Sequence, residues 1–489
     1  MTRPLRWFDY ITVNSYWLGL TTLSQTMTPL VLPLLIQSFV GEELKGTLYG
    51  QMRLWTLMVA VLVQALMGML SDNNPSKLGR RRPFILAGSI GIILVVISVG
   101  FISSMEGMAG YWALFGLVIL QMVFANTAHG AAQGLIPDVV PEEKRGIFSG
   151  IKAIMEVPVP VILVAFTIGR LIAAGNLWGA LFVLIGSIVV SLILTMLVPE
   201  KQHIPERTGL DWQPFLRLLF MTIVFTVIIL GSGQLVKLAN NIAAHLETTP
   251  MVISFGVLGL LAMVIAVGAG TWISIRIGLG DEAHTNPSFS WWVINRLAFL
   301  VGTTNLASFT VYFFQGRLGL EHEKAAGPAA TLTMFVGIFI LLSALPSGAL
   351  ADRFGKKKLL IISGIMASVG TFVVISVANL PVIYFGGILI GLATGLFYAA
   401  NWALGTEIVP KDKAGKYLGI SNLAGAGAGA IGAYIGGPIA DNITRYAPEF
   451  PGLGYMVLFV IYGILFLLSV IALRGIKEPS NDPSVITLT

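Results

Sequence analysis

The 489-residue chain contains no cysteine, which excludes disulfides, thiolate metal sites and thiol catalysis. Charge is scarce as well. Asp, Glu, Lys and Arg together supply 11% of the residues, against roughly a quarter in soluble domains, while apolar side chains supply 55%. That balance describes a polytopic membrane protein. A nucleotide-binding motif is missing, and no polar segment is long enough for an ATPase domain, so transport energy would come from a gradient. The net charge of +6 does not point to nucleic acid, because its cations sit in short loops between apolar runs. The first apolar run follows Arg3 and Arg6, contains Pro29 and Pro33, and is long enough to span, so it reads as an uncleaved helix and not as a signal peptide.

About 20 apolar residues cross roughly 30 Å of hydrocarbon, and by that measure the sequence predicts an all-α, polytopic fold of fourteen helices. Six cover 11–38, 48–70, 83–104, 112–136, 147–172 and 177–198. After a polar connector come two more, 216–239 and 251–275, and then six at 291–315, 328–350, 358–379, 382–407, 417–440 and 453–473. Lys and Arg concentrate in alternate loops, among them Lys77, Arg80 to Arg82, Lys144, Arg145, Arg353 and Lys356 to Lys358. The positive-inside rule makes those loops and both termini cytoplasmic, in a plasma or inner membrane.

Two stretches echo each other. Residues 68–85 read GMLSDNNPSKLGRRRPFI and residues 348–359 read GALADRFGKKKL, each joining one apolar run to the next. The loop PDVVPEEKRG at 137–146 likewise pairs with TEIVPKDKAG at 406–415, and 25–33 with 306–314. The chain is an internal duplication. Its expected parts are a six-helix bundle (1–198), a connector with two inserted helices (199–287), a second six-helix bundle (288–475) and a tail (476–489).

The pattern G-x-L-x-D-x-x-G-[RK]-[RK] resembles the signature loop of the major facilitator superfamily. Gly348, Leu350, Asp352, Arg353, Gly355, Lys356 and Lys357 fit it without a gap. The first copy has four extra residues between Asp72 and Gly79 and continues as RRRPFI, a form similar to that of the sucrose and glycoside cation symporters. The resemblance implies a monomeric secondary transporter in membrane lipid, without a cofactor. Such a protein moves a small polar solute, such as a sugar or glycoside, by alternating access with a proton or sodium ion. Those carriers have twelve helices, and the proton-coupled ones have an acidic residue where this chain has Gln121 and Met122.

Ionisable groups deep in a span are functional candidates. Arg53, Lys237 and Arg296 lie near expected helix ends, where long side chains snorkel to water. Glu156 lies deeper, followed by Pro158 and Pro160, which would free carbonyls for a cavity. With Lys152 one turn earlier it forms either a static ion pair or a carboxylate whose ionisation follows the opening of the cavity. Asn126, His129 and Gln133 follow one another at one-turn intervals in the preceding helix, with His129 at the depth of Glu156. In the second repeat Tyr398 stands where His129 does in the first, followed by Asn401 and Trp402, a set suited to stacking on and bonding to a sugar. Asn305 and Gln25 are further cavity candidates. The glycines of GAGAGAIGAYIGG at 425–437 mark a tight seam or a hinge. Asp72, Arg80, Arg82, Asp138, Arg145, Asp352, Arg353 and Glu407 form, by resemblance, releasable latches at the cytoplasmic side, with Asp72 expected opposite Arg82. Two other readings stay open: an amphipathic lipid or drug as cargo, and a non-transporting or pigment-delivery subunit using His129 or His245.

Overall fold

The computed structural model describes residues 6–200, 211–243, 246–410 and 414–477, and every regular element among them is helical. Thirteen helices are long and apolar enough to cross a bilayer. The first eight are α1 Asp9–Val40, α2 Lys45–Asp72, α3 Arg82–Ile102, α4 Gly107–Val139, α5 Glu142–Ala173, α6 Leu177–Met196, α7 Gln213–Asn241 and α8 Thr248–Leu279. Next is the pair Pro287–Ser308 and Thr310–Leu318, bent by 59°, which makes a fourteenth span when taken as one helix, α9. The rest are α10 Ala326–Phe354, α11 Lys356–Ser376, α12 Leu380–Ile408, α13 Leu423–Tyr446 and α14 Leu453–Gly475.

Packing repeats as the sequence does. Among the first six helices α1 packs on α5 and α6, α4 on α2 and α3, and α3 on α6. Among the last six α9 packs on α13 and α14, α12 on α10 and α11, and α11 on α14. The shift that carries α1 onto α9 carries each pair onto its image. Even the irregularities correspond: α1 has a π-helical turn at Met27–Val31, containing Pro29, and α9 bends at Phe309, its counterpart in the repeat. Helices α7 and α8 pack on each other and on α13, and α7 also touches α2.

The two signature loops turn on one backbone feature. Gly79 has φ +100° and Gly355 has φ +91°, a region where only glycine is unstrained, so the second glycine of the motif is a conformational requirement.

The repeats meet along two seams, α2 with α13 and α5 with α10, which are again images of each other. At the α2–α13 seam the backbones touch. A Cβ on Gly50 would run into the carbonyl of Ala433, and one on Gly437 into that of Gly46. The contact lies toward the end opposite the signature loops. There Tyr312 donates to the Pro33 carbonyl at 2.8 Å and Lys45 donates to Gln315 at 3.1 Å. Asp441 of α13 accepts the N–H groups of Gly46 at 3.0 Å and Thr47 at 2.6 Å. At the signature-loop end the seams part: Cβ atoms on Gly68 and Gly348, equivalent positions in the repeat, would meet nothing within 4 Å. Among the described residues no ion pair joins the two repeats there.

Overpacking such a seam costs about 1–3 kcal/mol. Gly50→Leu should therefore pry open the end opposite the signature loops. In a Thr444→Cys background, reaction with an impermeant maleimide should speed up about fivefold or more; an unchanged rate would mean that the seam does not hold that end shut.

Candidate functional site

The candidate site begins at a broken helix. Pro158 and Pro160 lack N–H groups, so the carbonyls of Ile154 and Glu156 lose their helical donors. At Val157 the backbone leaves the helix, with φ −118° and ψ −73°, and Glu156 is the last residue before the break. A cavity of about 260 Å³ opens beside it, lined by Trp17, Gln121, Asn126, His129 and Glu156 from α1, α4 and α5. That volume is on the scale of a small-solute subsite. Gln121 is 2% exposed and its Oε1 has no hydrogen-bond partner.

Trp17 organises this wall, and its place in the sequence carried no polar signal to mark it. Its ring stands edge-on to His129 at 5.3 Å and carries the Lys152 ammonium 3.7 Å from its centroid, a cation–π contact. Lys152 also reaches Glu156 at 3.6 Å. His129 Nε2 lies 3.1 Å from Gln133 Nε2. His129 and Glu156 therefore share a cavity without touching, linked through Trp17 and Lys152. Gln25, expected as a cavity group, is half-buried on α1 and is not among the residues that line this cavity.

The second repeat supplies a different wall. Tyr398 is 40% exposed and stands close to Arg296. Trp402, one turn on, is 45% exposed. Asn401, expected beside them, is fully buried and spent on structure: its Oδ1 accepts from Arg296 at 2.9 Å, its Nδ2 donates to Asn295 at 3.0 Å, and its carbonyl accepts the Trp292 indole N–H at 2.9 Å. Asn305 is buried as well, donating to the Ala428 carbonyl at 3.0 Å across to α13.

Two expected end anchors lie deep. Helix α9 starts at Pro287, capped by the Asn286 side chain, which accepts from Phe289 N at 3.2 Å, and α2 starts at Lys45. The polar first turns conceal those starts from hydropathy. Arg296 is thus about 14 Å into its helix, and Arg53 is 8% exposed with a buried, unpartnered Nε. Lys237 is exposed, as an anchor should be.

At the signature-loop end the charges pair within each repeat. Asp138 accepts from Arg80 at 2.8 Å and Arg81 at 2.9 Å. Asp72 pairs with Arg81 at 2.5 Å and not with Arg82, which donates to the Met196 carbonyl. Glu200 accepts the backbone N–H groups of Arg81 at 2.7 Å and Arg82 at 3.1 Å, and burial pushes its carboxyl above the usual range. Arg145 reaches Glu142 at 3.3 Å and the carbonyls of Pro137 and Val140. Lys356 pairs with Glu407, Arg353 lies over the Phe354 ring, and Asp352 is exposed.

The sequence profile of the Major Facilitator Superfamily matches residues 18–320 and 297–486. The chain belongs to this superfamily. It is a transporter and not an enzyme. An uncharacterised superfamily transporter of Schizosaccharomyces pombe is 26% identical over 206 residues, covering 39% of this chain and 45% of that one. The minor myo-inositol transporter IolF of Bacillus subtilis is 29% identical over 141 residues, 29% of this chain and 30% of its own. The chain thus spans less than half the length of these two relatives. Among solved structures, a D-xylose–proton symporter matches with a TM-score of 0.65 at 16% identity, over 97% of this chain and 99% of its own. A nucleoside transporter, NupG, matches with a TM-score of 0.61 at 12% identity, over 96% of this chain and all of its own. At such identities the likeness to this superfamily transporter is one of fold.

The pairing at Asp138 yields a ranking. Asp138→Asn removes the carboxylate that Arg80 and Arg81 share and leaves the buried Arg81 side chain, 7% exposed, to Asp72 alone; losing these charge-assisted hydrogen bonds should cost about 2–4 kcal/mol. Asp72→Asn, at a carboxylate 55% exposed, should cost about 1 kcal/mol or less. Thermal unfolding of the two purified variants checks the order; equal losses would mean that Asp138 holds no special place.

Proposed function

We propose that the chain moves a small polar solute, of the size of a sugar or glycoside, by alternating access between bundles 1–198 and 288–475. Glu156 couples the movement to a proton or a sodium ion. The observation that carries the reading is a polar cavity walled by Trp17, His129 and Glu156 of the first repeat, beside two seams closed at one end only, with Tyr398 and Trp402 exposed on α12 of the second repeat. Under the positive-inside rule the open end is cytoplasmic, together with both termini, and the state is inward-facing. Aromatic faces beside amides and a carboxylate suit a hydroxylated solute. The fold-level match to a sugar–proton symporter and the partial match to an inositol transporter agree with this.

A second reading, an amphipathic drug-like cargo, draws on one observation. The quinolone resistance protein NorB of Staphylococcus aureus is 23% identical over 63% of this chain and 65% of its own. The pigment-delivery reading gains no support, since the ring nitrogen Nε2 of His129 is engaged by Gln133; His245 lies outside the described residues.

Purified protein in liposomes, under imposed proton or sodium gradients, should accumulate a labelled sugar and not a fluoroquinolone. In Glu156→Gln, gradient-driven accumulation should fall about tenfold or more, while solute exchange persists. Unchanged accumulation in that variant would remove Glu156 from coupling. Accumulation of the fluoroquinolone alone would favour the second reading.

A further inference from the structure

Arg296 is a cation placed where a transporter of neutral sugar has little use for one. A guanidinium so deep in a span is expensive unless paired, and Lys152, the cation beside the first-repeat cavity, is paired with Glu156. Arg296 has no carboxylate partner among the described residues. A single acceptor from the protein, Asn401 Oδ1, reaches Nη1 at 2.9 Å, and Nε is buried with no partner at all. The rest of the five-donor fork is available to something that is not protein.

The surroundings hold that fork in place. Asn401 is fixed by Asn295 and Trp292, and Asn295 by its own donation to the Ser469 carbonyl at 2.8 Å. The Trp292 and Trp402 rings flank the guanidinium at 5.9 Å and 5.8 Å. Trp402 and Tyr398, one turn apart on α12, are 45% and 40% exposed, so an accessible aromatic face lies beside the guanidinium. A second unpaired guanidinium, Arg53, is buried farther along the α2–α13 seam, beside Gly429. Glu156 is balanced by Lys152, so among the described deep groups the charge left uncompensated, on Arg296 and Arg53, is positive.

We propose that the solute carries an oxyanion, a carboxylate or a phosphate, and that Arg296 binds it in a fork of parallel hydrogen bonds while Trp402 and Tyr398 pack against its body. This rests on the reading of the chamber as a solute path and narrows it to an acidic solute such as a sugar acid or a sugar phosphate.

The native absence of cysteine makes a direct test clean. In full-length Tyr398→Cys, the introduced thiol is treated with two methanethiosulfonates, one bearing a sulfonate and one a trimethylammonium group. The sulfonate reagent should react faster, and adding Arg296→Gln should lower the ratio of the two rates about tenfold, as expected for removing a unit charge a few ångströms away in a wet cleft. Because Arg296 activates the thiol equally toward both reagents, the ratio reports the field at the site. Glucose, glucuronate and glucose 6-phosphate are then tried as protectants: protection by either acidic solute but not by glucose supports the proposal and says which oxyanion fits. A ratio near one in the presence of Arg296, or protection by glucose alone, overturns it. If neither reagent reaches position 398, the chamber itself is wrong and the transport reading fails with it.

Discussion

Closure of one end depends on a helix terminus in one repeat whose cap comes from the other. The first N–H groups of a helix have no partner of their own, and α2 has no capping side chain within its own stretch. Asp441, on α13, accepts from Gly46 and Thr47, the positions that a capping carboxylate serves, with the helix dipole adding to the attraction. The bond exists only while the backbones touch, and they can touch only because glycine stands at Gly46, Gly50 and Gly437. Charge-assisted hydrogen bonds of this kind contribute about 1.5–3 kcal/mol each. Water can replace them when the seam opens, so the closure is firm and still reversible.

What remains of the molecule keeps each bundle rigid while this contact forms and breaks. The arginines and carboxylates of the signature loops pair inside their own repeat, Arg80 and Arg81 with Asp138, Lys356 with Glu407, so that end is free to part without leaving charges stranded. The chamber walls are built the same way. Trp17, Lys152 and Glu156 are tied to one another within the first repeat, and Arg296, Asn401 and Asn295 within the second. A solute held between the walls makes contacts that differ between the two states, which is what lets it shift their populations. Helices α7 and α8 lie along α13 and cover the seam on one side only, an asymmetry that the duplication by itself does not have.

The broad plan was legible because hydropathy and repetition are local signals. The signature loops, the duplicated order of helices, the break after Glu156 and the one-turn spacing of His129 and Gln133 could each be read from short stretches, and the structure places Glu156, His129 and Asn126 on one cavity. Four things could not be read. Helix starts hidden in polar or proline-containing turns put Arg53 and Arg296 too near the ends. Trp17 gave no sign because an aromatic in an apolar run looks like lipid-facing surface until its neighbours are known. Asp441 near the end of α13 carries no local signal of its role, since its partner lies almost four hundred residues away along the chain. Loop composition also fixed which charges gather but not their pairing, and Asp72 went to Arg81 where Arg82 was expected.

The central claim is that the two repeats trade which end is open. It is tested most directly by pulsed electron–electron resonance between spin labels on paired introduced cysteines, Asn73 with Asp352 across the signature-loop end and Glu43 with Glu449 across the other. The account predicts two distance populations for each pair, inversely related, so that any condition that lengthens one shortens the other. Both pairs lengthening together, or each holding one fixed distance under every solute and gradient, would contradict it.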